Sequence, residues 1–133
     1  MKPSFVVALC AAQAVAPCRA YDAQGNLAVW GVGQTSCFSY QKARTAGGFN
    51  DYKHYTLGYL TAYNALTPDT YNVTASTDLH GVLGWLDAYC KKKPMESFEQ
   101  ALKTMVTTMH QSRQALAPGR PAAPVTEAPP KAP

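Results

Sequence analysis

Four cysteines and three histidines are the residues of this chain that could most readily carry redox, metal or acid–base chemistry. No two cysteines form a Cys-x-x-Cys pair, the spacing found in thiol redox centres and many zinc sites. The histidines are His54, His80 and His110, and none has a carboxylate or a nucleophile at a recognised motif spacing. The sequence therefore predicts that the protein is not an enzyme and has no metal site and no cofactor.

The first twenty residues have the layout of a secretory signal peptide. Lys2 supplies the positive start, an apolar stretch runs from Phe5 to Ala16, and small residues up to Ala20 offer a cleavage site. The apolar stretch is too short to cross a bilayer core of about 30 Å. We therefore predict cleavage after Ala20 and export to the periplasm. The alternatives are lipid attachment at Cys18 and a retained helix.

Export leaves Cys37 and Cys90 as the two cysteines of the mature chain. Because the compartments beyond the inner membrane are oxidising, we expect a disulfide between them. The two residues are 53 positions apart, and closing such a loop adds about 4 kcal/mol in the chain-entropy model. Bridged cysteines cannot supply thiolate ligands, which also argues against zinc.

Two helices are predicted in the first half of the folded region. The first has Ser36 as its N-cap and ends at the glycines 47–48. The second begins at 50–51 and ends before Pro68, because the residue before a proline avoids the helical region. One stripe of the second helix is aromatic and predicts a packed face: Tyr52, Tyr55, Tyr59 and Tyr63.

Two further helices have clear helical periodicity and should pack as an antiparallel hairpin. Thr77 or Asp78 caps the third, and Pro94 stops it. Ser97 caps the fourth. The apolar face of the third helix is formed by Leu79, Val82, Leu83, Leu86 and Cys90. That of the fourth is formed by Phe98, Ala101, Leu102, Met105, Val106 and Met109.

The predicted fold class is therefore all-α: a small four-helix, single-disulfide domain over residues 34–115. It follows an N-terminal extension at 21–33 and precedes a disordered, proline- and alanine-rich tail at 116–133, whose composition cannot bury a core. Residues 34–115 hold eight Lys or Arg and six Asp or Glu, a net charge of +2. That excess is too small to predict nucleic-acid binding.

Two details of the helical region have functional or packing readings. Glycines inside predicted helices, Gly58, Gly81 and Gly84, indicate close approach of neighbouring helices, since glycine otherwise costs about 1 kcal/mol in a helix. The loop 67–76 is polar, inclined to extended structure and longer than a tight turn requires. Loops of this kind often carry recognition.

Five short motifs follow one another in the chain: Ser36-Cys37, His54 to Tyr59, Asp78 to Gly81, Trp85 to Cys90, and Pro94 to Phe98. Their order, over about residues 34–110, resembles the HdeA/HdeB-like group of small periplasmic all-helical proteins from Gram-negative bacteria. The resemblance implies the same Cys37–Cys90 disulfide. It also implies a homodimer at neutral pH that opens in acid and holds unfolding client proteins.

Acidification of this chain would neutralise the six carboxylates and charge the three histidines, which takes residues 34–115 from +2 to about +11 by formal count. Such self-repulsion favours expansion. The opened domain would bind clients through apolar residues of the last two helices: Leu79, Val82, Leu86, Phe98, Leu102, Met105 and Met109.

A second function remains open, because a similar architecture occurs in periplasmic immunity proteins that block toxins attacking the cell wall. The loop 67–76 differs from that of the short acid chaperones and has the look of a partner-binding insertion. In this alternative Tyr71, with help from the lysines 91–93, would occupy the site of a protein partner.

Overall fold

The computed structural model describes residues 21–119. The predicted signal peptide and residues 120–133 of the predicted tail lie outside the described residues. Between residues 21 and 119 the chain forms four α-helices and two short 3-10 helices, with no β-strand. The predicted all-α, four-helix class is confirmed.

The elements are a 3-10 helix (Gly31–Gln34), α1 (Cys37–Ala46), α2 (Phe49–Leu66), α3 (Leu79–Lys92), α4 (Phe98–Met109) and a second 3-10 helix (His110–Ser112). The predicted N-caps Ser36, Asp78 and Ser97 are confirmed, since each side chain accepts a hydrogen bond from the backbone N–H three residues on. These bonds satisfy N–H groups that a helix leaves unpaired at its start. The caps therefore fix where α1, α3 and α4 begin.

The turn between α1 and α2 depends on two glycines in the left-handed region. Gly47 has φ +101° and Gly48 has φ +86°, values that other residues adopt only with strain. Gly48 is the N-cap of α2, which begins at Phe49, one residue before the predicted start. The turn is short because both of its residues can adopt this backbone geometry.

The N-terminal ends of α1 and α4 lie side by side. Ser36 and Ser97 form an isolated antiparallel bridge, in which the N–H of Cys37 donates to the carbonyl of Glu96 and the N–H of Phe98 donates to that of Thr35, both at 2.8 Å. Two helix starts that are 61 positions apart in the sequence are thus joined by backbone hydrogen bonds.

An aromatic cluster occupies the centre of the core. The ring of Phe98 stacks on Tyr40 with the centroids 4.8 Å apart and meets Tyr52 edge-on at 5.0 Å. Aromatic pairs in these geometries contribute stability beyond the area they bury. The predicted tyrosine stripe of α2 is a packed face, because Tyr52 is buried and Tyr55, Tyr59 and Tyr63 pack against the core.

The expectation that helical glycines mark close approaches between helices is wrong. A Cβ added at Gly58 or Gly84 would meet no atom within 4 Å, and both residues are exposed. At Gly81 the contacts are with Thr77 and Asp78, which belong to the turn leading into the same helix. The close approach occurs at Gly33, before α1, where an added Cβ would collide with the ring of Tyr55.

Part of the N-terminal extension packs on the helices. Val32 lies against the core and Gly33 is buried, while the hydroxyl of Thr35 lies 2.8 Å from that of Tyr52. The packed region therefore begins a few residues before the predicted domain boundary at 34. None of the helices formed by residues 21–119 is long and apolar enough to cross a membrane.

Candidate functional site

The predicted disulfide between Cys37 and Cys90 is present. It joins the first residue of α1 to the last turn of α3, with the two Cα atoms 4.8 Å apart and both residues fully buried. α1 and α3 are therefore held together covalently, whatever happens to α2 and α4.

A polar cluster lies one helical turn from the disulfide. Tyr40 follows Cys37 by three residues, and Asp87 precedes Cys90 by three, so that both project near the bridge. The Tyr40 hydroxyl donates to Oδ1 of Asp87 at 2.6 Å. Arg44 adds a bidentate pair, with Nε donating to Oδ1 at 3.0 Å and Nη2 donating to Oδ2 at 2.6 Å. One carboxylate thus connects two side chains of α1 to α3.

The charged form of Asp87 is favoured by this arrangement. Partial burial alone would raise the pKa of the Asp87 carboxyl, but the hydrogen bonds from Arg44 and Tyr40 outweigh it and lower the pKa below its ordinary value. Burial, followed by the bond to Asp87, raises the pKa of the Tyr40 hydroxyl, which therefore stays protonated as a donor. The hydrogen bonds of the cluster are therefore strongest while Asp87 is ionised.

A second carboxylate supports the turn between α3 and α4. Glu96 accepts a hydrogen bond from the hydroxyl of Tyr89, and the ammonium of Lys93 donates to its Oε1 at 3.2 Å. The bond from Tyr89, with a smaller contribution from Lys93, lowers the pKa of the Glu96 carboxyl. Asp87 and Glu96 thus connect α3 to its neighbours: Asp87 joins it to α1, and Glu96, through Tyr89, joins it to the turn before α4.

The predicted client-binding residues form the interface between α3, α4 and the rest of the core. Five of the seven are buried, namely Val82, Leu86, Phe98, Leu102 and Met105, and the other two, Leu79 and Met109, are partly buried and pack against them. We call these seven residues the α3–α4 apolar face. In the folded domain it is closed, so that client binding through it requires the helices to separate.

The loop 67–76 is held firmly by the rest of the domain. Val73 is fully buried, and its N–H donates to Oδ1 of Asn64 on α2 at 2.9 Å. Asn72 and Gln114 form an antiparallel backbone bridge, with N–H to carbonyl distances of 3.0 and 2.9 Å. Tyr71, the predicted contact residue, is 51% exposed beside these anchors.

The three histidines do not form a common site. His54 and His80 are exposed, and Nδ1 of His110 lies 3.0 Å from the hydroxyl of Tyr63. Asp87, which lies on α3 with His80, is bonded to Arg44 and Tyr40 and not to a histidine. Throughout residues 21–119, no group of three or more His, Cys, Asp or Glu side chains is placed to hold a metal ion.

Sequence reasoning missed an open groove between α2 and α4. Its cavity measures about 350 Å³, and its walls include Tyr21 and Lys103, with the Lys103 ammonium 4.9 Å from the centre of the Tyr21 ring. We call it the tyrosine groove, because Tyr21, Tyr59 and Tyr63 line it. The tyrosine stripe of α2 was the one signal of this groove in the sequence. Nothing in the sequence indicated that Tyr21 lies beside that stripe.

Comparisons with protein-family models, with curated proteins and with solved structures find no match to this chain. The likeness to the HdeA/HdeB-like group therefore stays a prediction based on the short motifs and the pairing of the cysteines.

Proposed function

We propose that this protein is an exported chaperone that closes at neutral pH and binds unfolding clients in acid through the α3–α4 apolar face. One observation carries the proposal. The helix that bears three of the seven residues of this face, α3, is bonded covalently to α1, and its polar contacts to α1 and to the following turn are made to carboxylates that acid can neutralise.

Acid acts on those contacts in a defined direction. Asp87 and Glu96 have lowered pKa values in the folded state, so their stabilisation is present above the ordinary values near 3.8 and 4.5. It is lost as the pH falls through the lower folded values. Protonation, together with the growing positive charge, weakens the packing of the helices while the disulfide keeps α1 beside α3.

The exposed face would suit varied clients. Met105 and Met109 are flexible and polarisable, properties that help a surface adapt to different partners. Phe98 and Leu102 add apolar area on the same helix. In the closed state these residues are buried or partly buried, which explains how such a surface can be kept from aggregating at neutral pH.

The test is aggregation of an unrelated enzyme such as lactate dehydrogenase, followed by light scattering at about pH 2 and at neutral pH, well to either side of the ordinary carboxylate pKa values. We expect suppression in acid only. Met105→Gln should weaken it, whereas Met95→Gln, at an 87% exposed position in the turn after α3, should not. Equal scattering with and without the protein in acid would reject the proposal.

A second candidate function is favoured by the loop 67–76. Val73 and the pairing of Asn72 with Gln114 hold the loop in one conformation, which lowers the entropy cost of binding through Tyr71. In this role the protein would block a protein partner at neutral pH, as an immunity protein does.

The two functions predict different behaviour at neutral pH. The inhibitor would capture one partner in equimolar amount from periplasmic extract, and Tyr71→Ala would abolish the capture. Phe38→Ala, which removes another exposed aromatic side chain on α1, should leave it unchanged. Capture that does not depend on Tyr71 would rule out the loop as the binding element.

A further inference from the structure

The tyrosine groove has a composition suited to proline. Tyr59 and Tyr63 of α2, Val106 of α4 and Tyr21 all line it. Grooves that bind polyproline II segments in other proteins are lined by aromatic side chains, because a proline ring packs flat on an aromatic ring. Leu66, 83% exposed at the edge of the groove, extends the apolar surface.

The sequence after α4 has an unusual regularity. From residue 118 onward, every third position is a proline or, once, a glutamate: Pro118, Pro121, Pro124, Glu127, Pro130 and Pro133. A polyproline II helix has three residues per turn, so that in this conformation the five from Pro121 onward would lie along one edge. Pro118 is separated from them by Gly119, whose φ of +75° does not belong to that helix. Pro129 alone is out of register.

The charges of the tail and of the groove are also complementary. Glu127 is the one acidic side chain between residues 117 and 133. Lys103 lies in the groove over the Tyr21 ring, and among residues 21–119 it takes no part in an ion pair. A carboxylate in register with the prolines would therefore meet an ammonium group in the groove.

The tail leaves the folded domain close to the groove. Tyr63, which lines the groove, lies 3.0 Å from His110 at the end of α4. Arg113 and Gln114 are then bonded to Asp69 and Asn72, just beyond the end of α2. At about 3.1 Å per residue, the fourteen residues from 120 to 133 span about 43 Å in a polyproline II helix. The segment is long enough to return along the groove.

We propose that residues 120–133 of the same chain dock in the tyrosine groove, with the proline edge on the tyrosine rings and Glu127 at Lys103. Docking covers an apolar surface that is separate from the α3–α4 apolar face and from the loop 67–76. The proposal therefore stands independently of either proposed function.

The test is NMR of the full chain, with residue-specific order parameters for the amides of residues 122, 123 and 125–127 and chemical shifts for the groove. We expect order parameters above about 0.6 in the tail, the value below which a backbone counts as flexible. Ala62→Glu, which fills the groove and repels Glu127, should lower them below it. Ala65→Glu, the same change at an exposed position of α2 outside the groove, should have no effect.

A second set of variants changes the tail and observes the groove. Replacing Pro121 and Pro124 with alanine should shift the methyl signals of Val106, whereas Pro129→Ala, out of register, should not. The proposal would be overturned if the tail amides have order parameters below about 0.6 in the wild type and the same values in Ala62→Glu. Groove shifts that disappear on dilution would also overturn it, because they indicate that a second copy of the chain occupies the groove. So would groove shifts that change in Leu9→Glu but not in the proline variants, because they indicate that residues 1–20 occupy it.

Discussion

The hydroxyl of Tyr40 donates a 2.6 Å hydrogen bond to the carboxylate of Asp87, and this bond crosses from α1 to α3 one turn away from the disulfide. The covalent and the polar connection between the two helices therefore lie side by side. They differ in one respect, since only the polar connection responds to pH.

Asp87→Asn should lower the free energy of unfolding by about 1–2 kcal/mol at neutral pH. This figure allows for solvent screening of a side chain that is 38% exposed. Because the folded-state pKa of Asp87 is lowered, the difference from the wild type is present above its ordinary value near 3.8 and shrinks as the pH falls below it. Urea unfolding at a series of pH values measures both effects.

The matched control is Asp69→Asn, in the loop after α2. Asp69 contributes its backbone carbonyl to Arg113, and asparagine tolerates its positive φ of 51°. A constant difference between Asp87→Asn and the wild type across the acid range would contradict the role assigned to the carboxylate.

Phe98→Ala should destabilise the domain by about 3–5 kcal/mol, because it leaves a cavity at the centre of the aromatic cluster. Phe98 is fully buried against Tyr40 and Tyr52. Phe38→Ala removes the same side chain at a 61% exposed position and should change stability by no more than about 0.5 kcal/mol. Thermal and urea unfolding compare the pair, and similar losses for both would show that Phe98 is not central to the core.

Replacing both Cys37 and Cys90 with alanine should lower the free energy of unfolding by about 2–5 kcal/mol. The bridge closes a loop with a sequence separation of 53, so its loss gives the unfolded chain much more freedom. Guanidinium unfolding of the double variant, with unreduced wild type as the reference, measures the change. An unaltered midpoint would mean that helix packing alone maintains the fold.

Gly84→Ala should raise the stability by about 0.5–1 kcal/mol, because alanine restricts the unfolded chain and the added Cβ meets no neighbour. Gly33→Ala should have the opposite effect, since its Cβ would collide with the ring of Tyr55. Melting temperatures of the two variants test the contrast. A loss of stability in Gly84→Ala would restore the idea of a close helix contact at that position.

Asn64→Ala should loosen the loop 67–76 by removing the acceptor for the N–H of Val73. A lost hydrogen bond of about 1 kcal/mol corresponds to roughly fivefold faster exchange of that amide if the loop opens locally. Hydrogen exchange followed by NMR gives the rate. Asn50→Ala, at the exposed start of α2, is the control, and unchanged protection of Val73 in Asn64→Ala would mean that Gln114 suffices to hold the loop.

The features that the sequence predicted well depend on nearby residues. Ser36, Asp78 and Ser97 were recognisable as caps because each bonds a group only three positions away. The disulfide was predictable because the expected removal of residues 1–20 leaves only two cysteines to pair. The apolar faces of α3 and α4 followed from their helical periodicity.

The features that were missed depend on residues far apart in the chain. The partners of Asp87 stand 43 and 47 positions away on α1, at no motif spacing. The helical glycines were misread because a glycine in a sequence does not reveal which neighbour, if any, approaches it. Val73 was read as part of a polar loop, although the pairing of Asn72 with Gln114 brings it into the core.

The bond between Cys37 and Cys90 encloses the exposed Tyr71 within its loop. A protease that cuts the chain there yields two fragments that remain attached to each other through sulfur. Such nicked molecules would migrate as a single species on a non-reducing gel and separate only when reductant is added. A first cut inside the loop that the disulfide closes would therefore not release either half.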